Sequence, residues 1–458
     1  MNRVSRRAWV LLVVAGLIAA ALLAFFVKYF IKAEDWVSFP GSPHLYTGVN
    51  PNTGIVTDRS GVQLLDSTGD RTYSEDLILR ESTLHLLGDR YGYIEAPVLG
   101  HYSDKLVGYN VITGLFHTKD EVRTAELSLS AKAQAAACSA LAGRKGTVGV
   151  YNYRTGEILC AVTSPSYDPD NVPDIEHDET GTYDGVYVNR FFGATYTPGS
   201  IFKVLTTAAA LEQVPGILDE TFTCEGETVL EGERITCTGV HGTQTLGEAL
   251  TNSCNIAFAQ ITCEVGREQM EAYAEKAGIR TRLDVDGVRT AAGNFDLSEA
   301  STPSLAWSGI GQYTDLINPC QYLVFLGSIA NGGSAALPHL MQEIRAGDAV
   351  KYEASSETFD SGIEAATAAK VADMMHDNVV NSYGTGLFPD VRVCAKSGTA
   401  EIREGAAPNA MFAGFVQDDR YPLAFIVVVE EGGYGSQTAA PIAGQVLSAC
   451  IEDLNGTN

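Results

Sequence analysis

Ser200 and Lys203 are the side chains in this 458-residue chain best suited to nucleophilic chemistry, set three apart in Ser200-Ile201-Phe202-Lys203. A serine hydroxyl attacks poorly until a base accepts its proton. A lysine can be that base when burial disfavours its ammonium form. Thr197 offers an N-cap, Pro198 suits the first helical position, and an Ala- and Leu-rich run continues to Glu212, so the spacing predicts a helix with Ser200 and Lys203 on one face. The run is apolar nearly all round, which predicts a buried central helix. Its N-terminus leaves backbone N–H groups beside Ser200, suited to a developing oxyanion. Alone, S-x-x-K is a weak signal that chance supplies on ordinary core helices.

Two further clusters follow in order. Leu246 to Asn255 reads as a helix ending in the polar turn Ser253-Cys254-Asn255, ahead of a second apolar run. There Ser253 could relay a proton to a leaving amine, while Asn255 could hydrogen-bond both Lys203 and a substrate amide. The third cluster, Lys396-Ser397-Gly398-Thr399, ends the strand-like run Val391–Ala395, before two more strand patterns at 409–415 and 423–430. Small residues at Ser397 and Gly398 would let a peptide lie along that edge. Lys396 would meet a carboxylate, and the Thr399 N–H could be a second oxyanion donor beside that of Ser200. Three clusters in one order, each on the expected kind of element, leave little room for chance.

S-x-x-K, S-x-N and K-T/S-G together mark penicillin-binding proteins and serine β-lactamases. The chain resembles a class B (monofunctional) penicillin-binding protein of the compact elongation or division type over roughly residues 45 to 455. Matching stretches include Gly54–Gly61, Thr155–Leu159, Ser164–Pro169, Asn189-Arg190, His241-Gly242, Gly309–Gln312, Asn331–Gly333, Gly384-Thr385 and Ala439–Pro441. The resemblance implies a peptidoglycan D,D-transpeptidase acting on D-Ala-D-Ala stem peptides and acylated by β-lactams. It implies Ser200, Lys203, Ser253 and Asn255 as catalytic groups, Ser200 and Thr399 as the oxyanion hole, and Lys396 to Thr399 as the substrate-binding strand. It further implies a partner, a polytopic glycosyltransferase of the shape, elongation, division and sporulation family, met through residues 8–27 and 45–115. Three departures stand out: Ala395 replaces the usual glycine, Met411 stands where tryptophan is common, and the membrane-proximal region is short.

Net charge of −25 argues against a nucleic-acid partner, since phosphate contact needs clustered Lys and Arg. The eight His show no metal-ligand spacing and no Gly-rich phosphate loop is present, so neither metal nor cofactor is expected. Residues 8–27 carry no charge and are long enough to span a bilayer. Arg3, Arg6 and Arg7 place the N-terminus on the cytoplasmic side and the catalytic domain outside; a cleaved signal peptide is the competing reading. Of nine cysteines, Cys254 and Cys394 read as packing residues, and Cys224 with Cys237 as either a disulfide or two free thiols.

The expected organisation is a cytoplasmic tail (1–7), a transmembrane helix (8–27), a β-rich stalk (28–125) and a transpeptidase domain (126–458). In the last, a helix at 130–141, a hairpin (147–153 with 157–163), the Ser200 helix, a helical subdomain, three C-terminal strands and a helix near 440–454 imply an α/β fold, one antiparallel sheet sandwiched by helices. Three function classes stay open: a transpeptidase (D,D-carboxypeptidase activity shares its acylation half), a β-lactamase or β-lactam-sensing receptor, and a catalytically silent scaffold. A class A lactamase needs a glutamate for its deacylating water, and no E-x-x-L-N stretch lies between Ser253 and Lys396. A silent scaffold would be expected to have lost one of Ser200, Lys203, Ser253 or Lys396.

Overall fold

A computed structural model describes residues 2–37, 46–47, 50–51, 54–68, 70–107, 109–110, 112, 115–116, 122–402 and 405–456. Its centre is a five-stranded sheet of β1 (Gly146–Asn152), β2 (Ile158–Ser164), β3 (Val393–Ala400), β4 (Asn409–Val416) and β5 (Leu423–Val429), ordered β2-β1-β5-β4-β3. Every neighbouring pair is antiparallel. Side chains alternate across the sheet, and both faces are buried, which is why these strands read as near-continuous apolar runs. On one face Ala410, Phe412, Phe425 and Val427 join a cluster with α2 (Ala131–Leu141) and the C-terminal helix. On the other, Met411, Ala413, Ile426 and Val428 pack in the cluster of the helical subdomain. Each fully buried aliphatic or aromatic side chain stabilises the layer by roughly 1.5–3 kcal/mol.

The helices include α1 (Asn2–Val37), α2, α3 (Lys203–Gln213), α4 (Asn255–Val265), α5 (Pro319–Ala330), α6 (Ala365–Asn378) and α7 (Gly435–Gly456), with others between. Ser130 caps α2 as its run of alanines predicts, accepting from the Ala133 N–H at 3.1 Å. The helix α1 outruns the charge-free span at both ends, because no Gly or Pro breaks the chain between Lys28 and Val37. It is the one described helix long and apolar enough to cross a membrane, with mean hydropathy 3.0. Phe25, Phe26, Tyr29, Phe30 and Trp36 gather at its far end, as at a membrane–water boundary.

Between α1 and α2 lie the expected short strands and, in addition, a helix at Leu77–Leu87, capped by Asp76 and burying Leu79, Leu84, Leu86 and Leu87. A second sheet runs across the division expected at residue 125. Its strands, in order, are Ala349–Glu353, Met341–Ala346, Arg123–Leu127, Ile55–Thr57, Gln63–Asp66 and Thr72–Tyr73. Asp58 fastens this sheet to α2, accepting from the Ala131 N–H at 2.9 Å. Residues 38–45, part of the expected stalk and the start of the 45–115 contact zone, lie outside the described residues.

Candidate active site

Ser200 does not sit on the α-helix that its sequence predicts. Residues Gly199–Phe202 form a 3-10 turn, and α3 begins at Lys203. Thr197 is not the cap; Pro198 occupies that place, without a side-chain bond. Gly199 has φ +53°, and a Cβ there would lie 2.9 Å from the Thr399 carbonyl oxygen. The chain therefore uses glycine to bring the Ser200 turn against β3. The Gly199 N–H is held by the Gly311 carbonyl at 2.8 Å, and the Tyr322 hydroxyl donates to the Ile201 carbonyl at 2.8 Å.

The second cluster is built by helix termini. Thr245 and Glu248 form a capping box that starts the helix Leu246–Thr251. The helix closes through Ser253 in the left-handed region (φ +53°), with the Cys254 N–H on the Ala249 carbonyl at 2.9 Å. This aims Ser253 inward, while Cys254 caps α4 and Asn255 opens it. The third cluster lies within β3, an edge strand, not after it.

Lys203 and Lys396 are both wholly buried. The Lys203 Nζ donates to the Ser253 carbonyl at 2.7 Å and to Asn255 Oδ1 at 2.8 Å, with Ser253 Oγ at 3.3 Å. The Lys396 Nζ donates to Ser253 Oγ at 3.0 Å and to the Ser397 carbonyl at 3.0 Å. Ser253 Oγ thus bridges two buried amines. Burial, then the charge of Lys396, pushes Lys203 well below the usual lysine range. Burial alone brings Lys396 down to about 7. Both shifts favour the neutral amine, and at Lys203 the charge of Lys396 adds to burial. Ser200, half-buried, makes no side-chain hydrogen bond among the described residues, and so is not bonded to Lys203. Among the described residues no carboxylate hydrogen-bonds to Ser200, Lys203 or Ser253.

Two residues that the sequence reading missed hold the cluster together. Asn378, at the end of α6, donates to the Ala395 carbonyl at 3.0 Å and accepts from the Thr251 hydroxyl at 3.0 Å, tying β3 to the helix before Ser253. Tyr383 accepts from the Ser397 N–H at 2.9 Å and donates to Ser397 Oγ at 3.0 Å. Asn378 ends α6 and Tyr383 ends the π-helical turn Val379–Tyr383 that follows it, and no local signal separates either from surface polar residues. The departure at Ala395 is matched across the sheet. Its partner is Gly414, where a Cβ would fall 2.1 Å from the Cys394 carbonyl oxygen and 3.0 Å from the Ala395 methyl. Met411, opposite Gly398, is buried. All nine cysteines are free thiols, so Cys224 and Cys237 are not bonded to each other. They do converge, with Cys254 and His241, on one point beside Asn255.

Residues 146–448 match the family model described as the penicillin binding protein transpeptidase domain. The chain is 28% identical over 336 residues to a peptidoglycan D,D-transpeptidase, PbpA, of Mycolicibacterium smegmatis, covering 68% of this chain and 67% of that protein. It is 28% identical over 322 residues to the stage V sporulation protein D of Bacillus subtilis, covering 66% of this chain and 48% of that one. Among solved structures, the D,D-transpeptidase domain of a peptidoglycan glycosyltransferase from Eggerthella lenta superposes with TM-score 0.76 at 26% identity, over 87% of this chain and 98% of that one. A ceftriaxone acyl-enzyme complex of penicillin-binding protein A from M. tuberculosis also gives 0.76, at 25% identity over 87% and 98%.

Proposed function

The chain belongs to the penicillin-binding protein transpeptidase family, and from that premise we propose that it is a membrane-anchored peptidoglycan D,D-transpeptidase working through a serine acyl-enzyme. One observation carries the reading: Ser253 Oγ lies between two buried lysine amines, 3.3 Å from Lys203 Nζ and 3.0 Å from Lys396 Nζ, and burial with the neighbouring Lys396 charge pushes Lys203 well below the usual lysine range. A neutral lysine amine has two N–H bonds and one lone pair. The two short contacts of Lys203, to carbonyl oxygens of Ser253 and Asn255, use both N–H bonds. Its lone pair is left for a hydroxyl proton.

Ser200 Oγ attacks the carbonyl of the penultimate D-Ala as Lys203 takes its proton. The backbone N–H groups of Ser200 and Thr399 receive the oxyanion. The proton passes from Lys203 through Ser253 to the leaving D-Ala nitrogen, with Asn255 holding Lys203 and the substrate amide. Lys396, with Ser397, Gly398 and Thr399 along the open edge of β3, holds the terminal carboxylate. The amine of a second stem peptide then attacks the ester and frees Ser200. Penicillin follows the first half of this course. The resemblance to an acyl-enzyme complex of a relative supports it, and the lack of a carboxylate hydrogen-bonded to the cluster among the described residues weighs against a lactamase. After incubation with penicillin, mass spectrometry is expected to place one adduct on the Ser200 peptide, and Ser200→Ala to abolish it. An adduct elsewhere, or cross-linked product from Ser200→Ala, would overturn the assignment.

The arginines at 3, 6 and 7 support a cytoplasmic N-terminus and a catalytic domain outside the membrane. The segment between α1 and α2 is too short for a glycosyltransferase domain. Glycan polymerisation then falls to a polytopic glycosyltransferase of the shape, elongation, division and sporulation family, contacted through residues 8–27 and 45–115. Detergent-extracted protein is expected to co-purify with such an enzyme after cross-linking. Purification alone under those conditions would sink the pairing.

A further inference from the structure

Cys224, Cys237, His241 and Cys254 are spread over thirty-one residues of sequence and serve four different elements. Cys224 ends the strand Phe222–Cys224, Cys237 follows the strand Glu233–Thr236, His241 precedes the strand Gly242–Gln244, and Cys254 caps α4. Their three sulfurs and one imidazole nitrogen all lie within 4.8 Å of one another. We propose that these four residues form a structural zinc site that fastens the hairpin region 222–244 to the Ser253-Cys254-Asn255 turn.

The dimensions suit that ion. Zinc bonds of about 2.3 Å to sulfur and 2.0–2.1 Å to nitrogen give a tetrahedron with edges of about 3.8 Å between sulfurs and about 3.5 Å between sulfur and nitrogen. Cys237 Sγ lies 3.9 Å from Cys254 Sγ and 3.5 Å from His241 Nδ1. A disulfide instead needs sulfurs about 2.05 Å apart and would leave one sulfur and the imidazole unused. Backbone N–H groups already point at the sulfurs: Asn255 donates to Cys237 Sγ at 3.3 Å and Ala257 to Cys254 Sγ at 3.4 Å. Such bonds stabilise thiolates in the shell around a metal. Three sulfurs and one imidazole, with Cys224 and Cys254 buried, make a closed, soft donor set that selects zinc over magnesium or calcium. Binding balances as an exchange: Zn²⁺ enters and the thiol protons leave to solvent, including the one that Cys224 gives to the Gly239 carbonyl at 3.5 Å.

The position gives the site a consequence. Cys254 stands between the two residues that hold Lys203, and the Asn255 side chain donates to the Thr236 carbonyl at 3.0 Å, next to Cys237. The metal therefore positions Ser253 and Asn255 without touching substrate. Full-length protein in detergent, purified without chelator, is expected to hold one zinc per chain. Replacement by cobalt(II) should give the intense visible bands of a tetrahedral thiolate site. His241→Ala should keep the fold, measured by near-ultraviolet circular dichroism, yet weaken zinc binding by at least about a hundredfold and change the cobalt spectrum. Chelation should slow acylation by fluorescent penicillin about tenfold or more, and added zinc should restore it. Stoichiometric metal is read without regard to activity, so it stands apart from the transpeptidase assignment. Protein that takes up no zinc after reconstitution, or whose wild-type peptide map shows a disulfide among these three cysteines, would overturn the site. Acylation unchanged in zinc-free protein would overturn its positioning role.

Discussion

Replacing Lys203 by methionine keeps the length and apolar stem of a side chain with no solvent exposure and removes only its amine. Two acceptors, the Ser253 carbonyl and Asn255 Oδ1, lose their donor. Unmet acceptors cost about 1–3 kcal/mol each, but the variant no longer desolvates an amine and no longer sets one beside Lys396, so these terms largely offset. Stability is therefore expected to change by less than about 2 kcal/mol. The rate should respond far more. General-base help is worth about 10²- to 10⁴-fold, or about 3–5 kcal/mol of barrier. Stopped-flow acylation by a fluorescent penicillin, with urea denaturation of the same preparations, separates the two. A rate within tenfold of wild type in a folded Lys203→Met protein would refute the lysine as base. A large loss of stability would instead show that the amine's main work is structural.

The same pair sets the pH profile. Acylation by a carboxylate-bearing penicillin should rise as Lys203 loses its proton and fall above about 7, where free Lys396 loses the charge that grips the carboxylate; a profile flat from about pH 6 to 9 would contradict this. Lys396 keeps its proton to about 10.5 when unfolded and to about 7 when folded, so the unfolded chain binds more protons in between and stability rises with pH. That contribution is fully present above about 10.5 and gone below about 7, and Lys396→Met should flatten a slope of up to about 1.4 kcal/mol per pH unit, read by denaturant melts. Lys396→Ala should slow acylation at least about a hundredfold, since the charge-assisted contact lies in a desolvated cleft; a wild-type rate would make the residue purely structural. Tyr383→Phe removes the hydroxyl that bonds both the N–H and the Oγ of Ser397 and should cost about 1–3 kcal/mol in denaturant melts together with slower acylation. Gly414→Ala drives a methyl into the Cys394 carbonyl and should lower the unfolding free energy from denaturant melts by more than the about 1–3 kcal/mol of ordinary overpacking; an unchanged stability would show that β3 and β4 pair differently.

The three clusters, their order and the elements carrying them were legible because each is local: a serine and lysine three apart, a hydroxyl and amide in one turn, a lysine on a strand. The apolar runs of β4 and β5 and the charge-free N-terminal span were legible for the same reason, since composition and length are properties of a continuous stretch. Even there the fine geometry escaped. Ser200 lies in a 3-10 turn because Gly199 must pass close to the Thr399 carbonyl, a neighbour two hundred residues away. Only the tertiary structure decided what depends on such distant neighbours. Ser253 Oγ touches two lysines from opposite ends of the domain, Asn378 ties β3 to the turn holding Ser253, Gly414 makes room for Ala395, and four metal-type side chains from separate elements meet at one point. Chemistry that needs one short segment is written in residue types. Chemistry that needs several segments exists only once burial has forced them together.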